Sequence, residues 1–292
     1  MMKQSTPVYR IFSIVLCLVI PLALLFNSCG KPEFIPSYIH IDSVGLLSHY
    51  GTDGSNSHYI PDAWVYVDEQ LVGCFELPAT IPVPYAGNHS VQIQGGILES
   101  GSTAERPAYP FYAAWTVNAN LVQMQTLKLK PVVSYLASCH PFDWTEDFES
   151  PGISLVFDTS AASPKMLKDT LHPFEGHASG SVYLSASQSH FEGTTSLTFT
   201  VGNSGQELYL ELNYMNTNEF YVGILNTSNY QQLTFVTIKP SPVWKKMYVR
   251  LTDALTQAGV LVGGTYQVYL GMDRDVLVSN PQLHLDNLKL IH

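Results

Sequence analysis

The sequence predicts an all-β protein, a small N-terminal β-sandwich followed by a larger C-terminal jelly roll, on three observations. Apolar and polar residues alternate with period two in one segment after another, and Gly, Pro, Asn and Asp punctuate the chain between them. Only Asp253 to Ala258 carries a helical pattern. Alternation is what a half-buried strand requires, because successive side chains point to opposite faces. With 46% hydrophobic and 13% charged residues in 292, the chain has enough apolar surface for two cores.

Residues 1–28 read as an export signal. Lys3 and Arg10 precede an apolar run from Ile11 to Phe26, broken by Pro21 and too short to stop in a bilayer. The following Leu25-Phe26-Asn27-Ser28-Cys29-Gly30 resembles a lipobox, with small Ser28 before the cleaved bond; Phe26 and Asn27 depart from the strict pattern. The resemblance implies a diacylglyceryl group on the Cys29 thiol and an outer-membrane location facing the cell surface. Residues 29–37, with Lys31, Pro32, Glu33 and Pro36, would form the lipidated tether.

The first β-domain spans 38–130. Its clearest strands are Ala63-Trp64-Val65-Tyr66-Val67 and Ser90-Val91-Gln92-Ile93, with turns at Asp53-Gly54, Gly87-Asn88 and Gly95-Gly96. The order from Asp62 to Gly73, through Leu77-Pro78-Ala79-Thr80-Ile81-Pro82, to Gly87-Asn88-His89-Ser90-Val91 resembles the PEGA-type β-domain, with Asp68-Glu69 in place of that family's usual Asp-Gly turn. Such domains are binding or spacer modules of bacterial envelopes.

A Pro131 to Pro141 stretch reads as a linker, and the jelly roll spans 142–292. Its strands include 196–201, 208–212, 220–225, 234–238, 247–251, 266–271 and 283–290. Three stretches, Glu146-Asp147-Phe148-Glu149, Trp244-Lys245-Lys246-Met247-Tyr248-Val249 and Leu285-Asp286-Asn287-Leu288-Lys289-Leu290, resemble secreted bacterial carbohydrate-binding jelly rolls. The whole chain resembles the PEGA-plus-jelly-roll surface lipoproteins of Bacteroidota.

The 14 Lys plus Arg against 24 Asp plus Glu make nucleic acid a poor partner, since phosphate would be repelled. No nucleophile elbow, Walker loop, dinucleotide fingerprint or zincin helix occurs; Gly202-Asn203-Ser204-Gly205 reads as a hairpin turn. Zinc needs three or four converging ligands, and the loop His172-Pro173-Phe174-Glu175-Gly176-His177 offers only two histidines and a glutamate, so it reads as polar surface. Glu207 and Glu211 share a strand parity but stand too far apart for a glycosidase pair, and with Glu219 they read as solvated carboxylates.

Calcium between the first and last jelly-roll strands has candidate ligands in Asp147, Glu149 and Asp286. The candidate ligand-binding residues are Tyr214, Asn216, Asn218, Tyr221 and Trp244, with Asn213 and Tyr230 nearby: sugars need aromatic stacking faces and amide hydrogen bonds together, although the same aromatics also suit a core. Cys74 and Cys139 either pair in an oxidising compartment or remain buried thiols, and their apolar flanks favour thiols. The expectation is a non-catalytic, lipid-anchored accessory or scaffold subunit of an outer-membrane barrel-assembly, secretion or uptake complex, partnered by a β-barrel or other envelope lipoproteins. The alternative is glycan binding by the jelly roll.

Overall fold

A computed structural model describes residues 35–158, 160 and 163–292. Cys29 and residues 1–28, read as an export signal, lie outside the described residues. As expected, the protein is all-β, with two short α-helices among the described residues, α1 (Tyr50–Asp53) and α2 (Thr252–Gln257), the second on the segment that carried a helical pattern.

The first half contains β1 (Ser37–Ile41), β2 (Gly45–Leu47), β3 (Asp62–Val67), β4 (Gln70–Glu76), β5 (Ala79–Val83), β6 (Gly87–Gly96), β7 (Tyr112–Ala113), β8 (Trp115–Leu121), β9 (Thr126–Leu129) and β10 (Val132–Tyr135). They form an antiparallel sheet in the order β4-β3-β6-β8 and two three-stranded sheets, β5-β1-β9 and β2-β10-β7. Alternation works as the sequence required: Ala63, Val65, Val67, Val91 and Ile93 are fully buried, while Trp64 and Tyr66 face the other way. The Asp68-Glu69 turn holds both residues at positive φ, 46° and 65°, as a type I′ hairpin demands. Asp68 is held there because its carboxylate accepts the Ser90 backbone N–H at 2.9 Å and contacts His89 Nδ1 at 2.6 Å.

The stretch 131–141, read as a linker, carries β10, and it places Tyr135 and Cys139 in the core of the first half. Cys139 is buried, as its flanks suggested; Cys74 is exposed, because it lies on the outward face of edge strand β4, and both are free thiols.

The second half contains β11 (Trp144–Glu146), β12 (Leu155–Phe157), β13 (Leu167–Asp169), β14 (Ser179–Tyr183), β15 (His190–Thr195), β16 (Phe199–Thr200), β17 (Tyr209–Asn216), β18 (Phe220–Asn226), β19 (Gln231–Ile238), β20 (Ser241–Arg250), β21 (Thr265–Asp273) and β22 (Gln282–Ile291). One sheet runs β13-β14-β22-β17-β20 with β11 added to β22; the other runs β12-β15-β21-β18-β19 with β16 added to β21. Their inner faces share one core, including Leu210, Leu212, Phe220, Ile224, Val249, Leu270 and Leu285, which makes this half a jelly-roll sandwich. The Gly202-Asn203-Ser204-Gly205 loop crosses from one sheet to the other, where a hairpin was expected, because β16 pairs with β21 and β17 with β20 and β22.

The outer face of the first jelly-roll sheet is where the two halves meet. On β17, Leu210 and Leu212 point into the sandwich, whereas Tyr209, Glu211 and Asn213 point outward against the first half. Glu211 corrects the sequence reading: it is fully buried, not solvated. It accepts hydrogen bonds from the Tyr109 and Tyr135 hydroxyls at 2.9 and 3.0 Å and pairs with Lys246 at 2.9 Å. Burial alone would raise its pKa, but the Lys246 and Lys289 cations outweigh that and hold the carboxyl below its ordinary value. Lys289 donates to the Ser55 carbonyl at 2.7 Å and lies 4.9 Å from the centroid of Tyr135. Tyr248 completes the seam, its hydroxyl 3.1 Å from that of Tyr112 and accepting the Tyr59 N–H at 3.1 Å.

Candidate functional site

Beside this seam the protein forms a groove of about 720 Å³, within the size range of small-molecule sites. The first half contributes Ser57, His58 and Tyr59, and the jelly roll contributes Phe174, Asn213, Trp244, Lys245 and Tyr248. β20 places Trp244 and edge-on Phe174 together, with ring centroids 5.7 Å apart. Both are only partly buried, so ring surface is left for a ligand. Asn213, fully buried, donates from Nδ2 to Ser57 at 2.9 Å, while its Oδ1 has no hydrogen-bond partner.

The charge of the lining is one-sided. Lys239, Lys245, Lys246 and His58 line the groove, and no carboxylate does so among the described residues. Lys246 is committed to Glu211, and Lys239 pairs with Glu219; Lys245 is exposed. A second cleft of about 710 Å³, in the first half, has the opposite character, with Asp62, Glu76, Glu99 and Glu105 in its wall and Arg106 engaged by a forked pair with Asp62.

Of the five candidate ligand-binding residues, the fold brings Trp244 and Tyr214 to the groove. Tyr214 is nearly buried against Phe220. Asn216 and Asn218 are spent on backbone: Asn216 bridges Asn218 and Ser241, and Asn218 holds Asp273 and Asp275. Tyr221 stands on β18 in the opposite sheet, packed on Tyr269, and Tyr230 is exposed at the β18–β19 turn. Tyr59 and Phe174 were not singled out by the sequence, because each comes from a loop that only tertiary packing brings to Trp244.

The calcium candidates sit where the first and last jelly-roll strands pair, β11 against β22. Each carboxylate fastens a neighbouring segment. Asp286 accepts the N–H groups of Phe174, Glu175 and Asn287, and burial raises its pKa to about 7. Glu149 accepts those of His177 and Ala178, and Asp147 accepts the Tyr50 hydroxyl at 2.8 Å.

The sequence read His172 and His177 as parts of a polar surface loop, and the His172 side chain is 46% exposed. His172, in the loop after β13, meets Asp169 and His284, which lie on one face because β13, β14 and β22 stand side by side. Asp169 Oδ2 lies 2.8 Å from His172 Nδ1 and 3.7 Å from His284 Nδ1. Burial opposes ionisation of Asp169, but hydrogen bonds from His172, the Leu171 N–H, Tyr183 and Ser181 together hold its pKa far below normal. Burial lowers the pKa of His284 and favours the neutral ring.

No protein-family model and no curated protein matches the chain. Among solved structures, it is similar to the family 30 carbohydrate-binding module of a cellulosomal cellulase of Clostridium thermocellum, at 12% identity and a TM-score of 0.34, over 50% of this chain and 89% of that one. A mutant family 29 carbohydrate-binding module matches at 7% identity and a TM-score of 0.33, over 50% and 85%. The enzymatically active domain of a bacteriophage CBA120 tailspike protein matches at 10% identity and a TM-score of 0.36, over 48% of this chain and 19% of that one. The jelly-roll assignment itself rests on the strand order described above.

Proposed function

We propose that this protein is a non-catalytic, lipid-anchored envelope protein that captures acidic glycans in the groove beside Trp244. Of the two functions that the sequence left open, the groove supports glycan capture. The observation that carries the reading is its lining: aromatic faces stand beside lysines, with no carboxylate, in a chain of formal net charge −10. A pyranose ring has an apolar face for Trp244 and Phe174 and hydroxyls for Ser57 and His58. A carboxylate or sulfate on the sugar would be drawn to Lys245 and repelled by most of the remaining surface. Hydrolysis by paired acids has no candidates among the groove's lining residues, which is why the reading is binding.

Affinity gel electrophoresis of the full chain should show retardation by uronate- or sulfate-bearing polysaccharides and little by neutral ones. Trp244→Ala should weaken retention at least about tenfold, roughly 1.4 kcal/mol, with an unchanged melting temperature. Lys245→Ala should erase the preference for acidic over neutral polymers. Equal migration of wild type and Trp244→Ala in every gel would sink the proposal.

The tether reading gives a separate expectation. Cys29→Ser should end incorporation of labelled palmitate and move the chain from the membrane to the soluble fraction, with glycan retention intact. Continued labelling of the variant would refute acylation at this cysteine.

A further inference from the structure

We infer that Asp169, His172 and His284 form a binding site for a divalent transition-metal cation of the zinc type. One ligand atom from each residue lies within 4.8 Å of the other two. The two distances from Asp169 Oδ2, 2.8 and 3.7 Å, bracket the spacing of about 3.3 Å between neighbouring ligands in a tetrahedral site with bonds of 2.0–2.1 Å. Two imidazoles and one carboxylate are a donor set that suits zinc and its neighbours, and they leave a position for water or a ligand.

A second observation points the same way. His284 is fully buried; its Nδ1 contacts Ser181 Oγ at 2.6 Å, and its Nε2 has no hydrogen-bond partner. Nδ1 is the nitrogen that faces Asp169, so ligation through it would take over from the Ser181 contact and leave the ring proton on Nε2. Ser181 and Tyr183 already hydrogen-bond to Asp169, at 3.1 and 3.0 Å, and supply the outer partners that orient a metal-binding carboxylate.

The arrangement differs from the other histidine–carboxylate pairs on this protein. His40 with Asp42, His89 with Asp68, His190 with Asp273 and His292 with Asp143 each set a single imidazole on an acid, and at Asp53 the two imidazoles of His49 and His140 stay 3.9 and 3.5 Å from different oxygens of the carboxylate. At Asp169 two imidazoles meet, their ring centroids 4.8 Å apart, with Asp169 and His284 fixed on paired strands and His172 in the loop after β13. The site stands independently of the glycan reading, although Trp244, 6.4 Å from the His284 ring, makes the two sites neighbours.

The test uses the full chain in mild detergent, carrying a non-histidine tag and stripped with chelator, titrated with zinc chloride by calorimetry and with cobalt(II) by visible absorption. One equivalent of zinc should bind, and cobalt should show the d–d bands of a nitrogen- and oxygen-ligated ion. His172→Ala, at a side chain 46% exposed, should keep the fold and lower zinc affinity by about 100-fold or more, at least the upper end of the 10–100-fold range seen for outer partners alone. Asp169→Asn should do the same, and His190→Ala should leave binding unchanged. Absence of a stoichiometric site, or binding that survives both His172→Ala and Asp169→Asn, or an equal loss in His190→Ala, would overturn the assignment.

Discussion

Replacing Glu211 by alanine should cost the protein about 3–5 kcal/mol of stability, the usual result of removing one member of a buried charge pair. The carboxylate is fully buried on the outer face of β17 and serves Lys246, Lys289, Tyr109 and Tyr135 at once. Without it, Lys246 at 3% side-chain exposure and Lys289 at 2% become two buried cations beside each other with no anion between them. Lys289 is already under strain of this kind, since burial lowers its pKa to about 8. Lys289→Met should therefore be much milder, because it removes one cation and leaves Glu211 paired with Lys246. Urea melts of the two single variants and the double variant form a cycle that measures the coupling. Near-equal losses in Glu211→Ala and Lys289→Met would show that packing, and not charge compensation, holds the seam. The same carboxylate sets an acid limit. Its folded pKa is depressed, so its contribution is present above the unfolded value of 4.5 and is lost as pH falls through the folded value.

Gly223→Ala should be comparably severe, at about 3 kcal/mol or more, for a steric reason. A Cβ at this position on β18 would overlap the backbone carbonyl oxygen of Leu233 and the ring of Tyr269. A side-chain tip can move aside; a carbonyl fixed in the β18–β19 ladder cannot do so without breaking the pairing. The register shifts between Val222 and Gly223 bring the two backbones this close. Gly152→Ala is the control, since nothing lies within 4 Å of its Cβ position and surface changes of this kind stay within about 0.5 kcal/mol. Thermal melts of both variants decide the point: a Gly223→Ala protein as stable as wild type would mean that the bulge relaxes freely.

Strands were legible where a single physical constraint governed them. Ala63, Val65 and Val67 alternate with Trp64 and Tyr66 because one face of β3 is buried and the other is not, and period two records that directly. The same rule misread β17. Tyr209, Glu211 and Asn213 alternate with leucines as a wetted strand would, but their face meets another protein surface. Polar patterning separates one face from the other; it does not say whether water or a hydrogen-bonded neighbour lies beyond. Trp244 was chosen from the sequence for its stacking face, and β20 places it in the groove wall. Phe174 and Tyr59 were not, since each is an ordinary loop aromatic until the fold brings it to the groove. Nothing in the sequence set His284 apart, and only the alignment of β13, β14 and β22 brings it to Asp169 and to His172 in the loop after β13.

Strand β1 opens the described chain in the middle of its sheet, antiparallel to β5 on one side and parallel to β9 on the other, from Tyr38 to Ile41. Any tension entering through residues 35–36 therefore reaches a strand gripped along both edges. Pulled lengthwise, such a strand loads its cross-strand bonds together, whereas a terminal hairpin would peel open one bond at a time. From there the path to the groove runs through the Tyr109, Tyr135, Glu211 and Lys246 seam. A polymer dragging on Trp244 while the other end of the chain is held would thus be resisted in shear by a sheet and a buried ion cluster in series.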